Sequence, residues 1–398
     1  MGKKYLYAGN WTPQYDVEDN AGIFVFEYEE LEDRWNKIQF IKTGYSVSWM
    51  KIDKEKQLLY VCLETKKYLN NQMGGRILWY HIDNATGKLR FVNMCNSLGA
   101  YPIAMSWQED FCLVLNHGSN LTKNCEIYRD SNGEIKTRYQ TDEADLVLFS
   151  RDDLGNLLNA RDFYSFQGKG TLPFFQETAS PHSLFGDDNL TYFVPERGTD
   201  KITYFRVDLE QMKIYKMGEI IATKEYGPRN VVVSKNGENC YLIPEVEAKL
   251  IFYKRDKDGV FSFAEERDTV AKQEIKKIQE PKTSFEYPHP VDIAMSKDGR
   301  FLYTLTRTAN TLGIFTLNKK EGNIENEKFI VLDGENPRQL VLTDSGIYVV
   351  FQNSRKIQKL ILDDEKEKVI GYKDIICDID NIAVMELFIP DLMDINDK

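Results

Sequence analysis

The sequence predicts an all-β protein, a seven-bladed β-propeller of four-stranded antiparallel blades closed by pairing of the N- and C-terminal strands. Three observations carry this. A unit of similar pattern recurs at 180–208, 227–256, 288–318 and 336–363. Each copy has a Pro, a short alternating apolar strand, a polar turn, a second strand rich in Tyr, Leu and Val, another turn, and a third strand ending in Asp or Asn. The opening prolines Pro181, Pro228, Pro290 and Pro337 stand 47, 62 and 47 residues apart. The two chain ends each supply the strands that the other lacks. Self-similarity at such a period marks a repeat architecture, and closure removes the sheet edges that an open array would expose. Two stacked sandwiches are the alternative, but they leave the repeat unexplained.

From the N-terminus, KKYLYAGNWT and GIFVFEYEE (22–30) read as strands without an opening partner. SVSWMKIDKEKQLLYVCLETKKY (46–68) is a unit without the Pro, and YPIAMSWQEDFCLVLNHGSN (101–120) is one with it. The 79 residues between Pro102 and Pro181 leave room for an insertion around 120–175, where DDLGNLLNARDFYSFQGKGTLPF shows little alternation. A second, charged insertion at 264–288 accounts for the long Pro228–Pro290 gap and reads as solvated, with a short helix. DIDNIAVMELFI (378–389) is a strand without followers, which joins the N-terminal strands to complete the seventh sheet. The expectation is one domain over 1–398 with a short acidic tail, 391–398.

The chain carries 62 acidic and 51 basic residues, net −11, so its mean field repels nucleic acid and anionic membrane surfaces. An anionic ligand therefore needs a local basic pocket. The six cysteines are scattered without a CxxC pair, as expected for reduced thiols in the cytoplasm. No apolar run approaches the roughly 20 residues of a membrane span, and the N-terminus has no apolar targeting core. There is no GxSxG elbow, P-loop, HExxH or Rossmann GxGxxG. His81, His117, His182 and His289 have no metal-ligand spacing, so no metal or cofactor is expected. His81 lies in a strand and reads as structural. The many Tyr and Phe fit blade packing and need no ligand.

Strand polarity locates the chemistry. The first strand of a blade leaves one face and the second returns to it, so residues just before strand one and just after strand two converge on one mouth of the central channel. Before strand one stand His182, Arg229, His289 and Arg338; after strand two stand Glu64, Asn116, Glu196, Glu245, Arg307 and Gln352, with Asn10 equivalent on the N-terminal strand. His117, next to Asn116, and Trp11, just past the N-terminal strand, are further candidates to face a ligand. Any one of these residues could equally serve as an inter-blade ion pair or turn cap. As a group, so many charges around one opening favour a site.

The motifs SPHS (180–183), GTDKI (198–202), GPRN (227–230), PEVEAKLIFY (244–253), SKDGRFLYTLTRTAN (296–310) and NPR (336–338) resemble the lactonase family of seven-bladed propellers, in the same order. That family contains bacterial 6-phosphogluconolactonases and fungal carboxy-cis,cis-muconate cyclases. The similarity spans residues 1 to about 389 and is best from 180 to 363. It implies a catalytic set of His182, Arg229, Glu245 and Arg307; strand polarity sets Arg338, Asn116, His117, Glu64, His289, Gln352 and Glu196 around the substrate. Three departures stand out: Asn230 where the family pattern has His, Glu196-Arg197-Gly198 at a DLG-like turn, and Leu305-Thr306 before Arg307.

Lactone hydrolysis needs a base for water, a stabiliser for the oxyanion and a grip on the substrate's charge. Glu245, with a pKa raised by burial, or His182 could be the base, and Arg229 with Arg307 could clamp phosphate or carboxylate. The resemblance thus implies hydrolysis of a small anionic lactone, first of all a phosphosugar lactone. Lactonisation of a muconate-type dicarboxylate and a non-catalytic propeller that binds an anion or a protein are the alternatives.

Overall fold

The computed structural model describes residues 3–12, 17–69, 72–275, 287–366 and 368–390. Seven four-stranded antiparallel sheets form the seven blades. Blade 1 joins the chain ends: Ile382–Phe388 lies innermost, followed outward by Tyr5–Asn10, Gly22–Glu29 and Arg34–Lys42. The closing register runs from Tyr5↔Phe388 to Asn10↔Ile382, so the join is a regular antiparallel pair. Blade 2 begins at Val47–Asp53, blade 3 at Pro102–Trp107, blade 4 at Phe185–Gly186, blade 5 at Pro228–Val233, blade 6 at His289–Met295 and blade 7 at Pro337–Thr343.

Second strands such as Leu58–Leu63, Phe111–Asn116 and Gly346–Phe351 are buried along their whole length. Each is covered by neighbouring blades on both faces. This is why they read as continuous apolar runs rather than alternating ones. The core clusters accordingly bridge adjacent blades: Tyr60, Trp79, Met105 and Val147 of blades 2 and 3 pack in one of them. A second-strand Tyr also reaches across in four places. Tyr7 donates to the Gly87 carbonyl, Tyr60 to Gly155, Tyr241 to Gly322 and Tyr303 to Lys366, locking each blade to a turn of the next.

The region expected to be an insertion around 120–175 divides in two. Ala144–Arg151 and Leu157–Phe166 are the outer strands of blade 3 despite their weak alternation. The true addition is the two-stranded hairpin Ser119–Arg129 with Ile135–Asp142. Alternation is weak in Leu157–Phe166 because an outermost strand has one face largely in solvent, and its burial pattern is mostly exposed. Similarly, the second expected insertion begins inside the fourth strand of blade 5, Phe261–Asp268, and includes a single helical turn, Lys272–Ile275. Its remainder to 286, and the tail 391–398, lie outside the described residues.

Candidate active site

A recurrent irregularity builds the site. In five inner strands the register slips by one residue immediately after the position that opens the blade. Pro102 pairs with Asn116 but Ala104 with Leu115; Pro228 pairs with Pro244 but Asn230 with Ile243; Pro337 pairs with Phe351 but Gln339 with Val350. Blades 2 and 6 repeat the slip at Val47/Trp49 and Pro290/Asp292. A β-bulge leaves one extra residue unpaired and re-aims its side chain. Those residues are Ser48, Ile103, Arg229, Val291 and Arg338, and all five line a cavity of about 530 Å³ at the channel mouth. Blade 4 places His182 likewise, between the Pro181↔Glu196 bridge and Phe185, with its N–H on the Pro195 carbonyl at 3.1 Å.

A second ring comes from the residue after the strand-two partner of each opening position: Trp11, Glu64, His117, Arg197, Glu245, Arg307 and Gln352, all in the cavity wall. Among the expected site residues, the cavity thus gathers His182, Arg229, Glu245, Arg307, Arg338, His117, Glu64 and Gln352, and Trp11 with them.

Asn116, Glu196, Asn10 and His289 fall one register position away and do not line it. Along a strand a one-residue step turns the side chain to the other face. Asn116 donates to the Ser97 carbonyl at 3.0 Å and to Asp145 at 2.7 Å. Glu196 accepts from Thr199 at 2.7 Å and from Thr203. Asn10 ties Asn20 and Gly22. His289 precedes its Pro where His182 follows one, so Val291 takes the lining position in blade 6; the His289 ring donates through Nδ1 to the Tyr287 carbonyl at 2.9 Å.

Arg197 is the residue that sequence reasoning missed, although counting one position past the Pro181 partner finds it. Its turn is held close to the preceding loop: a Cβ on Gly198 would stand 1.5 Å from the Thr178 carbonyl oxygen, so only glycine fits. Asp292 and Asn230 also line the cavity. Asn230, at the family's His position, donates to Asp292 at 2.9 Å, and Asp292 accepts from the Leu340 N–H at 2.8 Å, stitching blades 5, 6 and 7 together. Burial pushes the Asp292 carboxyl up to about 6.

Glu245 is the electrostatic centre. One oxygen accepts from Arg197 Nη1 at 2.8 Å and the other from Arg229 Nη1, while His182 Nε2 stands 3.9 Å away. Burial alone would raise its pKa, but Arg229, His182 and Arg197 together hold it well below the ordinary carboxylate value. This corrects the expectation of a raised pKa and weakens Glu245 as a base. Arg229 also donates through Nε to the Val291 carbonyl at 3.2 Å, so much of its fork is committed to the protein.

Arg307 is different. Its Nε and Nη2 are buried and meet no hydrogen-bond partner among the described residues. Burial, then Arg229 and Arg338, press its pKa well below the guanidinium norm. A guanidinium stays charged in a protein, so this position favours an anionic ligand over a neutral one. His182 is pushed well below its ordinary value by burial and by Arg229, and His117 to about 4 by burial and Arg197; both are neutral at pH 7. The cavity wall therefore carries both a neutral imidazole and a guanidinium whose Nε and Nη2 meet no partner among the described residues. Among the described residues, no group of three or more His, Cys, Asp or Glu forms a metal cluster.

Comparison with known proteins agrees with this architecture. A family model described as "Lactonase, 7-bladed beta-propeller" matches residues 5–370. A 6-phosphogluconolactonase of Formosa agariphila is 25% identical over 354 residues, covering 87% of this chain and 89% of that protein. The periplasmic gluconolactonase of Pseudomonas aeruginosa superposes with a TM-score of 0.77 at 17% identity, covering 98% of this chain and all of that one. A protein from Lactobacillus plantarum gives 0.72 at 18% identity, covering 97% and 99%. At these identities the two structures speak for the fold.

Proposed function

The chain belongs to the lactonase family of seven-bladed β-propellers, and on that premise we propose that it is a lactone hydrolase acting on a small anionic lactone, with 6-phosphogluconolactone the first substrate to test. The observation that carries this reading is that one cavity wall holds both the neutral His182 and Arg307, whose Nε and Nη2 meet no hydrogen-bond partner among the described residues. The name of the Formosa agariphila relative supports the choice of substrate.

The chemistry follows from the groups present. His182 Nε2 takes a proton from water as the water oxygen adds to the lactone carbonyl carbon. That nitrogen lies 3.9 Å from a Glu245 carboxylate oxygen, whose charge favours the imidazolium as it forms. The guanidinium N–H groups of the cavity receive the negative charge that develops on the carbonyl oxygen, a role typically worth about 10²–10³ in rate per donor. The ring C–O bond then breaks, and the leaving alkoxide takes the proton back from His182. Glu245 holds Arg197 and Arg229 in place rather than acting as the base.

The test is hydrolysis of 6-phosphogluconolactone by the purified protein, beside His182→Gln and Arg307→Met. Turnover that falls at least about 100-fold in His182→Gln supports the assignment, since a general base typically contributes 10²–10⁴. Equal turnover by both variants and wild type would overturn it, as would faster hydrolysis of an uncharged lactone.

A further inference from the structure

His117 was expected to touch substrate. Its two ring nitrogens are engaged otherwise. Nδ1 stands 2.7 Å from the Gly118 carbonyl oxygen and Nε2 3.2 Å from His182 Nδ1, with the rings 4.7 Å apart at 79°. We propose that His117 is a positioning residue that fixes the tautomer of His182, so that the His182 Nε2 lone pair, and not an N–H, faces the cavity.

The argument runs from the outer end inward. A carbonyl oxygen only accepts, so the proton of His117 sits on Nδ1. Burial and Arg197 keep this ring neutral near pH 7, which leaves Nε2 as a lone pair. A lone pair facing His182 Nδ1 at 3.2 Å requires an N–H there. His182, also neutral, then carries its single proton on Nδ1 and presents a bare Nε2. In a neutral imidazole the hydrogen bond at one nitrogen sets the state of the other.

Blade 3 thus orients the base that blade 4 carries. Around the pair stand Arg229 and Glu245 of blade 5 and Arg197 of blade 4. The only carboxylate among these three lies at the far edge of His182, so the chain from Gly118 through His117 orients the ring without supplying charge. Glu245 supplies it when Nε2 becomes protonated.

The inference rests on the hydrolase reading only for the use made of the lone pair; the tautomer itself is independent of it. The first measurement is therefore ¹⁵N long-range NMR of the histidine rings at neutral pH in the wild-type protein, which has four histidines to assign. We expect the Nδ1–H form at both His117 and His182. An Nε2–H tautomer at His182 overturns the proposal whether or not any lactone is turned over.

The second measurement compares His117→Ala with His117→Gln, whose amide oxygen can again accept from His182. His117→Ala should turn His182 into a tautomer mixture and lower kcat about 10–100-fold with KM within about twofold, within the range expected of general-base catalysis. His117→Gln should recover part of both. A raised KM with kcat intact would make His117 a substrate contact instead, and an unchanged His182 tautomer in His117→Ala would also refute the proposal. If His117→Ala does not fold, the wild-type spectrum and His117→Gln still decide.

Discussion

Replacing Glu245 by Gln removes one charge from the most crowded part of the molecule while keeping its shape. Glu245 is 2% exposed, Arg197 7%, and both carboxylate oxygens are engaged by guanidinium groups. Breaking a buried pair from one side typically costs about 3–5 kcal/mol, because the partner charge is left uncompensated. Here two cations lose their counter-charge, with Arg307 nearby, while the open cavity lets water reach Arg229. The lower part of that range, about 3–4 kcal/mol, is therefore expected. At roughly 2.1 cal/mol/K per residue, a chain of 398 residues has an unfolding entropy of about 0.8 kcal/mol/K, so Tm should fall by about 4–5 °C.

The pH dependence sharpens the test. The folded-state pKa of Glu245 lies well below its ordinary 4.5, so its stabilisation is fully present above about pH 4.5 and is lost as pH falls through the folded value. The Tm gap between wild type and Glu245→Gln should be constant from pH 6 to 8 and narrow in acid. Calorimetry over pH 3–8 reads both. A gap under about 1 °C at pH 7, or one equally large at pH 3, would refute an anionic Glu245 clamped by two arginines. Turnover should fall with stability, since the variant also loses the anion beside His182.

Arg307→Met should raise KM for an anionic lactone by about 10–100-fold, the worth of a hydrogen bond to a charged group, while Tm holds or rises because Arg229 and Arg338 no longer face a third cation; steady-state kinetics and a melting curve check both. The buried Asp53–Arg151 pair joins blades 2 and 3 away from the cavity. Asp53→Ala should therefore cost about 3–5 kcal/mol in denaturant unfolding with kcat/KM within about twofold of wild type. Glu386, half-buried in blade 1, has its carboxyl raised by burial to about 7. Its protonated form favours the fold below about pH 4.5 and that advantage is lost as pH rises through about 7, so Glu386→Gln should stabilise at pH 8, by about 2–3 kcal/mol at most, and be neutral at pH 4. Gly198→Ala forces a Cβ against the Thr178 carbonyl and must shift the Arg197 turn; Tm and turnover should fall together.

Much of the fold was legible because each blade repeats one local grammar. A Pro that cannot continue a central ladder opens the inner strand, and a second strand covered on both sides must be apolar throughout. The same logic places Arg229, Glu245, Arg307 and Arg338 at the channel mouth from the sequence alone. It reaches Asn116 along with His117, Glu196 instead of Arg197, and His289 instead of Val291, because a bulge is a one-residue event with no composition of its own. Only the pairing of Pro181 with Glu196, or of Pro290 with Thr306, shows which neighbour turns inward.

The sequence by itself determined the repeat number, the closure by chain ends and the mouth at which chemistry gathers, since these follow from periodicity and from which strands lack partners. Tertiary structure alone decided the states of the groups. The hydrogen bond between His117 and His182 spans 65 residues, and Arg197 and Arg229 close on Glu245 from 48 and 16 residues away. Whether a buried carboxyl is raised by desolvation or lowered by cations depends on such distances. No local pattern of residues encodes them.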